Sequence, residues 1–459
     1  GVLLRMSRRF FGTDGIRGPV GGPVVNPGFA ARLGGAVGAQ LKRQGLDGGE
    51  VLIGRDTRWS GAGLRDGLAA GLASEGFACA DLGIVPTPAV SLSVTEGGAV
   101  LGVALTASHN PAADNGFKFF KSDGCKVEDA WEEEVESRLA GEASPPGAAP
   151  HCPCRNLEAV RAYCTFVEGL FPAGLLDGLT LAADTANGAT CETTPAVLGA
   201  LGAKLVLLGN SPDGSNINNG VGSEHPDRVA GIVAAGDADL GIAHDGDGDR
   251  LVLCDESGEI LSGDEALGIV GLDWLRRGRL SGSAVVGTIQ CNAGLESTLA
   301  AAGGRLLRTP VGDRPVTQRM SAEGLNFGGE PSGHFVFADC LPTGDGLVAA
   351  LQFLEIRHRT GRTLADLRKE VTLYPQAMRN LAVADKPPLQ SLPGFQDGLN
   401  EISDSLGADG RVLVRYSGTE SKIRLLAEAR TQDLADRTLA ALATLARNNL
   451  ITVDNPGAT

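Results

Sequence analysis

The sequence predicts an α/β fold: three similar α/β domains with mixed, mainly parallel sheets and a C-terminal α+β domain, arranged around a central cleft. Three observations support it. The chain has 459 residues, too many for one hydrophobic core. A strand–turn–helix–glycine–strand unit recurs three times, and alternating strands and helices are typical of parallel sheets. The last part of the chain departs from this unit.

The repeated unit opens each time with a short apolar run and a polar turn. We expect the opening strands at Val51–Gly54, Leu179–Ala183 and Ala284–Gly287. Each leads into a helix that ends near a glycine, a residue common at helix C-termini. A second strand follows in each copy, at Phe77–Leu82, Ala203–Leu208 and Arg305–Leu307.

Each copy then adds a third strand that runs into an unusual loop. These strands are Ala99–Leu105, Ala238–Ala243 and Leu325–Phe327. The loops that follow them are Thr106–Pro111, Asp245–Arg250 and Gly328–His334. A fourth apolar run comes after each loop. Ligands of such sheets bind beyond the carboxyl ends of the strands, so we expect the three loops to face a shared cleft.

Composition breaks and turn residues give the domain boundaries, which we predict at 1–155, 156–257, 258–375 and 376–459. The segment Gly141–Pro153 is rich in Pro, Gly and Ala and is typical of a linker. Tyr374-Pro375 breaks the predicted helix Leu364–Val371 and indicates a hinge. Beyond it, the predicted elements are two strands and a helix, Arg411–Tyr416, Ile423–Ala429 and Asp433–Arg447.

Charge and cysteine content exclude several classes of protein. The formal net charge is -15, which argues against non-specific binding to nucleic acid or anionic membranes. No apolar run is long enough to span a bilayer. The nine cysteines are scattered without a Cys-x-x-Cys pair, as expected for reduced thiols in the cytoplasm. His151, Cys152 and Cys154 lie close together, but a metal site there lacks a second ligand pair.

The loop Thr106–Pro111 carries the candidate nucleophile, Ser108. This serine follows an apolar strand, and Pro111 prevents an immediate helix and biases Asn110 toward an extended conformation. Asparagine and proline beside this serine favour an exposed, fixed hydroxyl, which suits covalent catalysis through serine. A lone serine in a turn is more often only a turn residue, so the interpretation depends on the loops that accompany it.

The loop Asp245–Arg250 reads Asp-Gly-Asp-Gly-Asp-Arg and predicts a metal site. Asp245, Asp247 and Asp249 alternate along an extended loop, so their carboxylates can converge on one ion. Hard oxygen ligands suit Mg²⁺. An EF-hand begins similarly, but Arg250 stands where that loop needs glycine. An ordinary solvated acidic turn is the other alternative.

Basic residues near these loops are candidates for binding phosphate. The Arg250 guanidinium directly follows the aspartates and can bind two phosphate oxygens. Phe11–Gly18 is a glycine-rich loop that contains Arg17. Lys118 lies on the strand after the serine loop, where it could act as a phosphate ligand or as an acid or base. A solvent-facing lysine is the alternative.

Two further loops predict contacts to a sugar and to a second phosphate. Glu330, Ser332 and His334 combine a carboxylate, a hydroxyl and an imidazole, which suits sugar hydroxyls. Near the C-terminus, small residues that expose backbone N–H groups lie between two arginines, an arrangement typical of an anion site. The residues of this second loop are Arg415, Ser417, Gly418, Thr419 and Arg424. Thr309–Arg314 is a weaker candidate for either contact.

These loops, in this order, resemble those of the α-D-phosphohexomutase superfamily over nearly the whole chain. The resemblance also includes the run Asp114–Phe120, Val311–Arg314 and Thr343–Gly346. It implies four domains around a cleft, a phosphoserine at Ser108, and Mg²⁺ held by its phosphate with the three aspartates. It further implies that Arg17, His109, Lys118, Arg250 and His334 line the reaction centre.

The resemblance implies an isomerase that interconverts glucosamine 6-phosphate and glucosamine 1-phosphate in the cytoplasm, through a sugar 1,6-bisphosphate that also serves as activator. The product would feed UDP-N-acetylglucosamine and peptidoglycan precursors. The expected partner is a small sugar phosphate, without nucleic acid or membrane, in a monomer or homodimer. Pro331 departs from the Gln frequent in amino-sugar enzymes, so phosphomannomutase or phosphoglucomutase is the alternative activity. A silent sugar-phosphate sensor and a serine-linked phosphatase are alternatives from other classes.

Overall fold

The computed structural model describes residues 9–139, 150–417 and 421–450. The chain divides into two compact units: unit 1 comprises Gly1–Gln290 and Leu307–Arg368, and unit 2 comprises Cys291–Leu306 and Lys369–Thr459. Most of the predicted linker Gly141–Pro153 and the predicted phosphate ligands Gly418 and Thr419 lie outside the described residues. Among the described helices, none is both long enough and apolar enough to cross a membrane.

The first sheet carries the serine loop and has the strand order β1-β5-β4-β2-β3. Its strands are β1 Ile16–Pro19, β2 Glu50–Arg55, β3 Ala78–Ile84, β4 Leu101–Leu105 and β5 Asp114–Lys121. β2, β3 and β4 are parallel, whereas β5 is antiparallel to β4 and β1 to β5. The helices are α1 Pro27–Arg43, α2 Gly61–Ser74, α3 Thr87–Gly97 and α4 Asp129–Leu139.

Helices α1 and α2 pack closely because small residues face each other. A Cβ on Gly34 would collide with the carbonyl oxygen of Leu68, and one on Gly71 would collide with that of Ala31. Helix α1 begins with a side-chain cap: Asn26 Oδ1 accepts a hydrogen bond from Phe29 N at 2.8 Å, and a proline is the first helical residue.

The second and third sheets repeat this topology. The second sheet has β6 Thr180–Asp184, β7 Lys204–Leu208, β8 Leu240–Ala243 and β9 Val252–Cys254 in the order β7-β6-β8-β9. The third has β10 Ala284–Thr288, β11 Arg305–Thr309, β12 Phe327–Gly329 and β13 Phe335–Phe337 in the order β11-β10-β12-β13. In all three sheets the first strand of the repeat lies between the second and the third. The fourth strand lies on the other side of the third and is antiparallel to it. The predicted repeat is therefore confirmed.

The helices between these strands begin with α5 Asn156–Gly169, α6 Thr193–Ala200 and α7 Asp227–Ala234. They continue with α8 Gly263–Arg276, α9 Ala293–Ala301, α10 Asp313–Glu323, α11 Gly346–Thr360 and α12 Leu364–Leu367. In unit 2, β14 Gln376–Ala382, β15 Gly410–Tyr416 and β16 Lys422–Ala429 form an antiparallel sheet in the order β14-β16-β15. Its helices α13 Pro393–Leu406 and α14 Gln432–Asn449 complete the predicted α+β domain.

The structure differs from the sequence prediction in several elements. The glycine-rich segment Phe11–Gly18 is only partly a loop, because its last three residues belong to β1 and pair with β5. Gly328 and Gly329 belong to β12 rather than to the loop after it. Leu364–Val371 is not one helix, since α12 ends at Leu367 and a short 3₁₀ turn follows. The domain boundaries that we placed by composition stay a prediction.

A buried carboxyl group at the start of α11 gives the fold a testable pH dependence. Asp345 caps the helix by accepting from Leu347 N at 2.9 Å and Val348 N at 3.0 Å, and it accepts from the Tyr163 hydroxyl at 2.8 Å. Burial raises the pKa of Asp345 to about 6, against the opposing effect of these hydrogen bonds. The folded state therefore holds this proton more tightly than the unfolded chain does.

We expect Asp345→Asn to remove this pH dependence. Since the folded pKa is raised, the stabilisation is fully present below about pH 4 and is lost as the pH rises through about 6. At about 1.4 kcal/mol per pKa unit, the wild type should lose about 3 kcal/mol relative to the variant between about pH 4 and pH 7. Denaturant unfolding of both proteins at the two pH values measures this, and a difference that does not change with pH would refute it.

Candidate active site

The serine loop and the aspartate loop meet in unit 1. Ser108 follows the carboxyl end of β4, and Asp245 follows that of β8. The Ser108 hydroxyl donates a hydrogen bond to Asp245 Oδ2 at 2.5 Å, and both side chains are buried. The expectation of an exposed hydroxyl is therefore wrong, because the aspartate loop covers the serine. Residues 137 positions apart in the sequence are thus joined. The expectation that these two loops lie together is met, and that they line a cleft stays a prediction.

The three aspartates converge as their alternate spacing predicts. Asp245, Asp247 and Asp249 each offer one carboxylate oxygen, and these oxygens lie within 4.8 Å of one another. The glycines between them have a structural purpose. A Cβ on Gly246 would lie 2.6 Å from the Ser108 carbonyl oxygen, and the glycine at position 248 has a φ of +73°. The glycines therefore let the acidic loop approach the serine.

The surroundings shift the pKa values of Asp245 and Asp249 in opposite directions. Burial, together with the carboxylates of Asp247 and Asp249, raises the pKa of Asp245 well above its ordinary value. Burial would also raise the pKa of Asp249, but the Lys118 ammonium, His334 and Lys126 together outweigh it and hold that pKa well below its usual range. The triad accordingly favours a bound cation, which would relieve the repulsion among its carboxylates.

The donor set fits Mg²⁺. Asp247 Oδ1 and Asp249 Oδ1 are buried and have no hydrogen-bond partner among the described residues, so they are oriented oxygens ready for a ligand. Within the part of the chain that the structure describes, this triad is the only group of three or more His, Cys, Asp or Glu side chains arranged to hold a metal ion. The segment His151–Cys154, which is described, forms no such site.

Lys118 reaches the centre of the site from β5. The antiparallel register places it opposite Ala104 of β4, just before the loop that carries the serine. Its Nζ lies 2.8 Å from Asp247 Oδ2, 2.9 Å from Asp249 Oδ2 and 3.2 Å from Asp14 Oδ2. Burial would lower the pKa of Lys118, but Asp14 and the other two carboxylates outweigh it and raise that pKa well above its ordinary value. The side chain is therefore an ammonium group and not a solvent-facing lysine.

A second buried lysine extends this network, and no sequence pattern marked it. The Lys126 Nζ bridges the carboxylates of Asp14 and Asp313. Asp14 thereby contacts Lys118, Lys126 and Arg17. Burial would raise the pKa of Asp14, but these cations, Lys118 first, hold it well below its usual range. Charged groups of both signs thus contact each other inside the site.

The remaining predicted reaction-centre residues lie around Ser108. His109 Nδ1 is 3.5 Å from Ser108 Oγ, and burial together with the Arg250 charge lowers the pKa of this imidazole. Arg250 Nε lies 4.0 Å from Asp245 Oδ2, and its side chain is partly exposed. Arg17 is paired with Asp14 at the start of β1. All three can therefore present donors to an anion at the serine.

The predicted sugar loop is built on β12 and β13. Glu330 Oε1 accepts a hydrogen bond from Gly312 N at 2.9 Å, which ties this loop to the segment before α10. His334 is buried, with Nδ1 3.7 Å from Asp249 Oδ2 and Nε2 3.8 Å from Asp313 Oδ2. Ser332 is exposed. The structure thus brings His334 to the triad and leaves Ser332 at the surface.

Arg314 has a structural role that its sequence position does not indicate. Its guanidinium is buried and pairs with the carboxylates of Glu132 and Asp129 in α4. One of these contacts, from Nη1 to Glu132 Oε2, is 2.8 Å long. Because its donors are used in this way, Arg314 is a poor candidate for the sugar or phosphate contact that Thr309–Arg314 suggested.

The predicted anion site in unit 2 is a pair of facing arginines. Arg415 of β15 and Arg424 of β16 are directly opposite each other in the antiparallel ladder. This register places two guanidinium groups next to each other, which suits a phosphate. Arg424 Nη2 lies 3.5 Å from the buried Ser417 Oγ. Gly418 and Thr419 are outside the described residues, so their part in the site stays a prediction.

The chain matches four domain families along its length. They are the phosphoglucomutase/phosphomannomutase alpha/beta/alpha domains I, II and III, at residues 8–145, 162–258 and 262–374, and the C-terminal domain of the same proteins, at residues 378–445. Together these matches cover far more than half of the chain.

Relatives and solved structures agree with these matches. A protein of Anaeromyxobacter sp. (strain Fw109-5) named phosphoglucosamine mutase is 42% identical over 95% of this chain and 97% of its own length. One of the same name from Leuconostoc citreum (strain KM20) is 42% identical over 97% and 99%. The crystal structure of a phosphoglucomutase/phosphomannomutase family protein from Burkholderia thailandensis is similar with a TM-score of 0.80, at 26% identity and 98% coverage of both chains. The chain therefore belongs to the phosphoglucomutase/phosphomannomutase family of the α-D-phosphohexomutase superfamily.

Proposed function

We propose that the protein interconverts glucosamine 6-phosphate and glucosamine 1-phosphate, through a phosphorylated Ser108 and a sugar 1,6-bisphosphate. The observation that carries this proposal is the buried Ser108 hydroxyl 2.5 Å from the carboxylate of Asp245. A serine placed against a cation-binding triad and several basic groups suits phosphoryl transfer. The amino sugar is favoured because full-length relatives at 42% identity carry the name phosphoglucosamine mutase.

In the first step, the P–Oγ bond of phospho-Ser108 breaks and a bond forms between phosphorus and the free hydroxyl oxygen of the sugar monophosphate. The hydroxyl proton leaves to a base, and Ser108 Oγ takes up a proton. The bisphosphate then turns end for end, and the serine recovers the other phosphoryl group by the reverse chemistry. Most of the catalytic effect comes from positioning and charge neutralisation.

Different residues of the site would bind the metal, bind the phosphate and transfer protons. We propose that Asp245, Asp247 and Asp249, together with the phosphate on Ser108, hold Mg²⁺, which neutralises charge on the transferring group when it is bound. Lys118 and Arg250 contact the aspartates and can bind phosphate oxygens. Arg17 stays charged and can likewise bind phosphate oxygens. We propose His109, Lys118 and His334 as the candidates for proton transfer.

We further propose that Glu330 and Ser332 bind sugar hydroxyls, and that the phosphate that is not transferred binds Arg415, Ser417, Gly418, Thr419 and Arg424. A bisphosphate that reorients needs a second phosphate site, and we propose that the facing arginines of unit 2 form it. The cysteines are thiols and not disulfides, which favours a reducing compartment such as the cytoplasm. A homodimer stays a prediction.

An isomerisation assay with glucosamine, glucose and mannose 6-phosphates tests the proposal. We expect the largest kcat/KM for glucosamine 6-phosphate, with no net release of inorganic phosphate. A larger value for the mannose or glucose substrate would support phosphomannomutase or phosphoglucomutase activity instead. Stoichiometric release of phosphate would support a phosphatase.

Replacing Arg415 with alanine should mainly raise KM. A charge-assisted hydrogen bond to a spectator phosphate is worth about 1.5–3 kcal/mol, so KM should rise by about 10- to 100-fold while kcat changes little. Arg437→Ala is a matched control, because this exposed arginine of α14 pairs with the equally exposed Asp433. Steady-state kinetics measure both effects, and a fall in kcat alone would contradict the assignment.

A further inference from the structure

Ser108 has an unusual backbone conformation. Its φ is 53°, in the left-handed region that residues with a Cβ rarely adopt. In this conformation the hydroxyl reaches Asp245 Oδ2. Surrounding groups must therefore hold the loop, because the ordinary conformation of a serine would turn the hydroxyl elsewhere.

Arg58 is one such group, and none of the proposed catalytic steps uses it. It follows β2, and its side chain is fully buried. The guanidinium donates to the carbonyl oxygens of Ser108 at 3.1 Å, Asn110 at 2.7 Å and Asp114 at 2.8 Å, and also to that of Pro111. One side chain thus binds four carbonyl groups of the loop that runs from the serine to β5.

The amide side of Ser108 is held by a connected chain of hydrogen bonds. Asp56 Oδ2 accepts from Arg58 Nε at 2.9 Å and from Thr106 Oγ1 at 2.7 Å. Thr106 Oγ1 in turn accepts from Ser108 N at 2.9 Å. The peptide groups before and after the serine are therefore both fixed.

A residue from another part of unit 1 binds the same carbonyl groups. Asn218 Nδ2 donates to the carbonyl oxygens of Ser108 and Asn110, each at 2.9 Å. Asn218 itself has a φ of 58°. Each of the two carbonyl oxygens accordingly accepts one hydrogen bond from Arg58 and one from Asn218, which uses both of its lone pairs.

We propose that Asp56, Arg58, Thr106 and Asn218 form a serine clamp, a set of positioning residues that fixes Ser108 for accepting and returning the phosphoryl group. The inference rests on the proposed function and deepens it. The clamp acts through the backbone of the loop and not on the substrate, so its loss should slow phosphoryl transfer without weakening substrate binding.

The test uses Thr106→Val and Asn218→Ala, which each remove a link without leaving a buried charge unpaired. Arg58→Lys keeps the charge beside Asp56 but cannot reach all four carbonyl groups. We expect kcat to fall at least about tenfold in each variant, with KM for glucosamine 6-phosphate within about twofold of wild type. Phosphorylation of Ser108 by glucose 1,6-bisphosphate, followed by quenched-flow mass spectrometry, should slow by the same factor. Asn219→Ala is the matched control, since Asn219 is exposed on the same loop as Asn218.

Hydrogen exchange of the peptide that covers residues 106–114 separates the clamp from the proposed function. We expect faster exchange of this peptide in the clamp variants than in wild type or the Asn219→Ala control. Unchanged exchange, or KM and kcat altered in parallel, would overturn the clamp. If the wild type does not isomerise sugar phosphates, the proposed function fails, and the exchange measurement still decides whether the clamp exists.

Discussion

Replacing Ser108 with alanine is expected to lower kcat of the isomerisation by at least about a thousandfold, because the variant lacks the oxygen that carries the phosphoryl group. The fold should be unaffected, since the contacts described for the hydroxyl are those to Asp245 and to the neighbouring His109. Intact mass spectrometry should find no added phosphate on the variant after incubation with glucose 1,6-bisphosphate.

Ser137→Ala provides the control for this experiment. Ser137 lies on α4, and its hydroxyl donates to the Glu134 carbonyl oxygen of the same helix. This variant should keep wild-type activity and phosphorylation. If Ser108→Ala instead retained a tenth or more of the wild-type rate, the serine could not be an obligatory carrier.

The second large effect is expected for Asp247→Asn. Asp247 has a buried carboxylate oxygen without a hydrogen-bond partner in the described part of the chain, which is the oxygen we expect a cation to bind. We expect kcat to fall at least about a hundredfold, since removal of one charged group that stabilises the transferring phosphoryl oxygens typically costs this much. A readout besides activity is the melting temperature, which Mg²⁺ should raise in the wild type and much less in the variant.

Asp213→Asn is the control for the metal experiment, because Asp213 is an exposed carboxylate that accepts hydrogen bonds from Ser215. Its Mg²⁺-dependent change in melting temperature should equal that of the wild type. An equal change in Asp247→Asn would place the cation elsewhere.

The sequence predicted the site best where the functional residues are neighbours within one loop. The alternating aspartates predicted a converging triad, and the topology rule for parallel sheets predicted that the serine loop would face it. Lys118 was harder, since spacing alone did not distinguish an active-site lysine from a solvent-facing one. The register that places it opposite Ala104 decides the matter.

The contacts that could not be predicted join side chains that are far apart in the sequence. Lys126 bridges Asp14 and Asp313, and the second of these lies 187 positions away. Arg58 and Asn218 meet at the serine loop for the same reason. Helix α3 was missed because most of its residues are buried, so it lacks the polar face that marks a helix in sequence.

The most direct test of the central claim follows the phosphoryl group itself. The protein is labelled with ³²P at Ser108 by a labelled bisphosphate and then mixed with unlabelled glucosamine 6-phosphate. We predict that the label passes into sugar phosphate while the serine regains unlabelled phosphate from the substrate. Label that stays on Ser108 through many turnovers, or that leaves as inorganic phosphate, would contradict the account.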